Sequence, residues 1–145
     1  MIQRIQTIFL ILAALGSAGV FLFPFFSGVA ANVPFLADGV YDTRDHIALV
    51  GIAIVAILDA ILTIFLYKNR KQQAIFALAT AAANLLILAF SLGILSSQMS
   101  LGSVFGTLSL GLGSVSPLLG VAAAIMARRG ILADEALVRS MDRLR

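Results

Sequence analysis

The chain has no cysteine and no tryptophan, a single histidine and, over 145 residues, only 12% charged side chains. Each shortage excludes something. Without cysteine there is no disulfide, no thiolate nucleophile and no thiolate metal site. His46 alone supplies neither a bis-histidine haem nor a multi-histidine metal centre, and with Asp42 and Asp45 beside it still offers too few ligands. The shortage of charge weighs most. A soluble domain this small leaves much of its surface in water and needs charge at about a quarter of its residues. What fills the chain instead is apolar: 61% of residues are hydrophobic and the mean hydropathy is +1.06. The solvent that suits such a composition is lipid. A phosphate-cradling loop, a Ser–His–Asp set and paired intramembrane carboxylates are all missing from the sequence, so it points to no enzyme and to no cofactor.

A membrane span needs roughly 20 mostly apolar residues to cross about 30 Å of hydrocarbon. Four segments qualify, at about residues 7–26, 47–67, 74–94 and 109–127. The first follows Arg4 as a signal peptide would, but its apolar run is too long for one and no small-residue cleavage site closes it, so we read it as a retained helix. The fourth is preceded by a Gly- and Ser-rich stretch, residues 101–108, expected as a loop or a frayed turn. Pro117 falls inside the fourth span and is expected to kink it, with Ser114 and Ser116 near enough to satisfy freed backbone groups. The expected fold is all-α: one integral membrane domain, a four-helix bundle with a cytoplasmic tail from residue 128.

Charge placement gives the orientation. Arg4, Lys68, Arg70, Lys71, Arg128, Arg129, Arg139, Arg143 and Arg145 flank one side of these spans, nine of the ten basic residues. The loop between the first two spans holds Arg44 against Asp38, Asp42 and Asp45. The positive-inside rule then places both termini and the basic loop in the cytoplasm. A sequence pI near 10.0 would otherwise suggest nucleic acid. Basic residues at span ends instead mark orientation and contact with the anionic headgroups of a lipid bilayer, and no nucleic-acid partner is expected.

Asp59 is the one ionisable residue within a span. A carboxylate there costs at least about 2.5–3.5 kcal/mol on insertion scales. It must be protonated, hydrogen-bonded or facing a wet interior. Counted from the ends of the two spans, Asp59 lies about 12 Å deep and Asn84 about 15 Å deep. Contact between them is therefore expected, with Thr63 and Thr80 one turn away completing a polar ladder. One reading is a proton or cation relay; the other is a hydrogen-bonded clasp that fixes helix register. Small residues four apart recur: Ala13 with Ser17, Ala77 with Ala81, Ala79 with Ala83, and Gly120 with Ala124. Such spacing lets helix backbones approach closely. Phe21, Phe23, Phe25, Phe26 and Phe35 gather near the end of the first span as packing or interfacial residues.

The tail ILADEALVRSMDRLR is of another kind. Gly130 is expected to end the fourth helix and Asp134 to cap a short amphipathic cytoplasmic one, with Leu137, Met141 and Leu144 on its apolar face. It would lie on a membrane surface or dock on a partner. The opening MIQRIQT and the closing DEALVRSMDRLR resemble the two ends of a bacterial membrane protein family, domain of unknown function 4293. The resemblance covers the whole chain, implies four spans in a bacterial inner membrane, and carries no assigned activity or catalytic residue. It directs attention to Gln3, Arg4 and Gln6 at one end and to Asp134, Glu135, Arg139, Ser140, Asp142 and Arg143 at the other. Arg4 with Asp134 or Glu135 is one expected contact.

Two functions follow as expectations. One is a non-catalytic accessory or scaffold subunit with membrane-protein partner subunits; the alternative is a small oligomeric transporter or ion pathway centred on Asp59. The topology is directly testable. Reporter domains fused after Arg145 or within residues 68–73 are expected to report cytoplasm, and one near Gly39 the opposite side. A C-terminus on the outside contradicts the four-span reading.

Overall fold

The computed structural model describes residues 2–29 and 33–142, and the side chains of all of these except 2–4, 35, 139, 141 and 142. These residues are mostly helical. Helix α1 (Ile2–Ala18) runs on into a 3-10 turn at Gly19–Phe21. Strands β1 (Phe26–Ser27) and β2 (Val40–Tyr41) precede α2 (Ile47–Phe65) and α3 (Arg70–Gln98). Helix α4 (Leu101–Thr107), strand β3 (Ser109–Leu110) and helix α5 (Leu112–Asp142) complete the chain. Three helical stretches are long and apolar enough to cross a membrane, Ile47–Lys68, Arg70–Gln98 and Leu112–Val138; Ile5–Phe21 is apolar but shorter.

The four longest helices close a cycle. α1 packs on α5, α5 on α3, α3 on α2, and α2 back on α1. The α2–α3 connection is a single 3-10 turn, Leu66–Lys68, after which the Asn69 side chain accepts the Gln72 N–H at 3.3 Å and starts α3. Side chains inside the cycle are small at mid-length: Ala13, Ala81, Ala123 and Ala124 pack together. Three of the four small-residue pairs face inward, whereas Ala79 is exposed. Large apolar side chains point outward instead, among them Leu15, Leu86 and Leu119, each more than half exposed. Large groups outside and small ones inside invert the soluble pattern and suit a lipid surround.

With Leu10 and Ile131 buried in a smaller cluster elsewhere, most bulky core residues gather at one end. Phe25, Phe26, Tyr41, Leu49, Ile87 and Leu95 are buried there beneath a three-stranded antiparallel sheet. In it β1 pairs with both neighbours, Phe26 opposite Tyr41 and Leu110. The first turns of α5 are stitched to the same segment, the Gly113 N–H donating to the Pro24 carbonyl at 2.8 Å and the Ser114 hydroxyl to the Phe25 carbonyl at 2.6 Å. Pro117 has no N–H for the carbonyl four residues back, that of Gly113. The Ser116 hydroxyl supplies the missing donor at 3.4 Å, and the helix continues.

Three expectations need correction. Gly130 does not end a helix and Asp134 does not cap one, because α5 runs through both without a break. The tail is therefore an extension of the last apolar helix, not a separate element. Residues 101–107, expected as loop or frayed turn, form α4, with the Ser100 side chain accepting the Ser103 N–H at its start. And α3 begins at Arg70, a turn earlier than the apolar run suggests, because polar Lys71, Gln72 and Gln73 are compatible with helix although not with hydrocarbon.

At mid-length, close approach marks the crossing of α1 and α5. A Cβ placed on Gly16 would lie 2.6 Å from the Gly120 Cα and 2.8 Å from the Ser116 carbonyl, both backbone atoms that cannot yield. By contrast Gly93 has open space around it. Gly16→Ala is therefore expected to destabilise by about 1–3 kcal/mol through overpacking. Gly93→Ala, with only helix propensity at stake, should stabilise by up to about 1 kcal/mol. Denaturant unfolding in detergent of the two variants checks this; equal effects would deny the close contact.

Candidate functional site

Three groups of polar side chains link the long helices. At mid-length Asn84 of α3 and Ser17 of α1, both fully buried, face each other. Asn84 Nδ2 donates to Ser17 Oγ at 2.9 Å and to the Thr80 carbonyl at 3.0 Å. The Ser17 hydroxyl lies 3.1 Å from both Asn84 Oδ1 and the Ala13 carbonyl. Asn84 also presses on α5, where a Cβ on Gly120 would stand 2.7 Å from its Oδ1. One amide thus touches two other helices, with its donors and acceptor satisfied by neutral partners.

The second group joins α2 to α3. Thr80 Oγ1 donates to Asp59 Oδ2 at 2.6 Å and lies 3.1 Å from the Phe76 carbonyl. Thr63 turns back on its own helix, its hydroxyl donating to the Asp59 carbonyl at 2.7 Å, while Gln73 Nε2 donates to the Thr63 carbonyl at 3.2 Å. The expected ladder is accordingly rearranged. Asp59 bonds Thr80 rather than Asn84, and Asn84 turns to Ser17. The reason is the early start of α3: with Arg70 as its first residue, Asn84 sits about 21 Å along the helix, a turn beyond Asp59's level, and Thr80 takes its place.

The third group ties the chain's ends together. Asp134 of α5, 7% exposed, accepts from Gln6 Nε2 of α1 at 2.6 Å and pairs with the Arg70 guanidinium at the head of α3 at 3.3 Å. Gly130 makes room, since a Cβ there would crowd Gln6 Cγ at 3.1 Å. That is its role in place of helix termination. A buried carboxylate held by both a cation and an amide is paired as burial requires. The contact between the two end motifs is made by Gln6 of the first and Asp134 of the second. The side chains of Gln3, Arg4, Arg139 and Asp142, and all of Arg143, lie outside the described residues. Glu135 is half-buried beside this clasp.

Sequence reasoning missed Ser17, Gln73 and Arg70 as partners. Ser17 was visible only as half of a small-residue pair. Gln73 and Arg70 looked like loop. The acids beside His46 act locally. Asp42 accepts the Arg44 N–H at 2.6 Å and Asp45 accepts the Asp42 N–H at 2.7 Å, capping the turn Thr43–Asp45. Burial lifts the Asp45 carboxyl above the ordinary carboxylate range, against the pull of the Asp42 N–H. Among the described residues no three His, Asp or Glu side chains are grouped to hold a metal.

Over residues 2–144 the chain matches the family model described as domain of unknown function (DUF4293), and it belongs to that family. No curated protein and no solved structure matches it.

The clasp at Asp134 makes a definite forecast. Asp134→Ala leaves the Gln6 amide and the Arg70 guanidinium without their acceptor and is expected to destabilise by about 1.5–3 kcal/mol. Asp134→Asn keeps an oxygen for Gln6 and should cost less. Unfolding in detergent orders the two, and hydrogen exchange over residues 131–142 should quicken in the same order. An alanine variant as stable as the parent removes the clasp from the account.

Proposed function

We propose that this protein is a non-catalytic accessory or scaffold subunit of a larger complex in the bacterial inner membrane, crossing it four times with both termini in the cytoplasm. Four crossings are favoured because Ile5–Phe21, about 25 Å long at helical rise, sits at the short end of what a span needs. With Ile5–Phe21 as a span nine of the ten basic residues share one side, against eight without it, and the positive-inside rule favours the larger excess.

The observation that carries the reading is the extension of α5. Beyond the Arg128–Arg129 pair the helix continues to Asp142 and is pinned to α1 and α3 through Asp134. Leu137 and Val138 stand 56% and 43% exposed on this extension, beyond the Arg128–Arg129 pair and at the very end of the Leu112–Val138 stretch. A rigid helix that offers apolar groups among charges, outside hydrocarbon, suits a protein surface better than water. The closed interior fits the same reading: at mid-length the space between helices is taken by Gly16, Gly120 and the Asn84–Ser17 pair.

A second reading, an ion or proton pathway, is favoured by one feature. The Thr80 hydroxyl stands between the Asp59 carboxylate and the Phe76 carbonyl and serves either by rotation. The readings separate in two assays. Under the subunit reading a Leu137→Ser, Val138→Ser double variant inserts normally and loses a co-purifying membrane complex. The purified protein in proteoliposomes then passes no protons or cations. Flux that Asp59→Asn abolishes, with no partner at the tail, reverses the conclusion.

A further inference from the structure

We propose that the face of α2 beside Asp59 binds a transmembrane helix of a different protein, one that carries a Lys or Arg at mid-depth. The inference rests on the subunit reading and names the chemistry of one partner contact. Asp59 lies about 18 Å from the start of α2 at Ile47 and about 13 Å from Lys68, so it is far from either helix end. It is half-buried, at the seam where α2 leaves α3, and not enclosed in the helix cycle. Among the described residues Thr80 is the carboxyl's one hydrogen-bond partner, and that hydroxyl has a single proton to divide between Asp59 and the Phe76 carbonyl. Much of the carboxyl's accepting capacity is therefore directed outward.

The strip beside it is shaped for a helix. Val55 and Leu62, one turn to either side, are 61% and 55% exposed. Gly51, a further turn along, has nothing within 4 Å of where a Cβ would be. A glycine inside a helix weakens it, and Gly51 recovers nothing from within this chain, unlike Gly16 and Gly120 at their crossing. An approaching helix uses that opening. The approaching group is a cation by charge complementarity, since a carboxylate in hydrocarbon is relieved most by a paired positive charge. A second copy of this chain does not provide it. The sequence has no Lys or Arg between Arg4 and Arg44, between Arg44 and Lys68, or between Lys71 and Arg128, and Arg128, the deepest of them, stands about 9 Å along α5 from Asp134, short of Asp59's level.

The test places a photoreactive amino acid at Leu62 in the full-length protein in its native membranes and sequences what it captures. The expected product is an apolar segment of another membrane protein with Lys or Arg inside it. Its yield should fall at least about tenfold in Asp59→Asn and persist in Asp59→Glu. Exchanging the charges, Asp59→Lys with the partner's cation changed to Asp, should restore it. Capture of lipid alone, of a second copy, or of a segment without a cation overturns the proposal. So does a yield no greater than that of the same probe at exposed Leu15, or one unchanged by Asp59→Asn. If a complex still co-purifies through the α5 extension while Leu62 captures nothing, this inference fails and the subunit reading stands. If neither is found, the subunit reading itself fails.

Discussion

Gly16 on α1 and Gly120 on α5 meet backbone to backbone, and the geometry of the rest follows from that approach. A side chain on Gly16 would overlap the Gly120 main chain. Gly120 at the same time leaves the hollow that the Asn84 amide fills from α3. Two missing side chains thus bring three helices to one level, and Ser17, one residue past Gly16, is there to meet the amide. Such narrowness at mid-length leaves no room for large residues. Most of them lie at the end under the sheet, where Phe25 and Tyr41 pack at a tilt with ring centroids 5.8 Å apart and Thr43 bonds the Val20 carbonyl at 2.5 Å, while Leu10 and Ile131 are buried toward the other end. At the opposite end a third glycine, Gly130, repeats the device by admitting Gln6 to Asp134.

Much of this is legible from residue types alone, and the parts that are not have physical causes. Apolar runs locate helices because hydrocarbon demands them, so α2 and the core of α3 are plain in the sequence. Helix ends are another matter. Lys71, Gln72 and Gln73 are poor in lipid but good in helix, and hydropathy alone places the start of α3 a turn late. That one turn decides which residue Asp59 meets. The register of facing helices depends on where each begins, and an error of four residues exchanges Asn84 for Thr80. Gly130 misleads in the same way. Glycine after an apolar run commonly ends a helix, yet here its bare Cα is used for contact with Gln6. The sheet leaves no trace because two-residue strands have no alternation to detect, and β1 finds β3 only across more than 80 residues of chain.

The two terminal motifs gain a physical sense from the clasp. A family match over residues 2–144 includes both ends. Gln6 lies in the first motif, Asp134 in the second, and Arg70 at the head of α3, so three segments distant in sequence converge on one carboxylate. Asp134 fixes where α5 emerges relative to α1 and α3. The orientation of the α5 extension, with Leu137 and Val138 on it, is thereby tied to the apolar helices rather than left to a hinge.

Magnitudes then separate the two intramembrane polar groups. A hydrogen bond between helices in lipid averages about 0.6 kcal/mol, while a carboxylate at mid-span costs about 2.5–3.5 kcal/mol on insertion scales. For fixing register, the neutral Asn84–Ser17 pair is the efficient device: it is fully buried, satisfied on every side and reaches three helices. The Asp59–Thr80 contact joins only α2 to α3, which the four-residue connection already holds together. Its hydrogen bond does not offset the cost of an acid at that depth, and Asn or Gln in its place would hold Thr80 as well. Register therefore does not account for Asp59. What distinguishes the acid from its neutral substitutes is charge, and among the described residues no cation pairs with it. The use has to be sought outside the helix cycle, on the face of α2 that the other three helices leave uncovered.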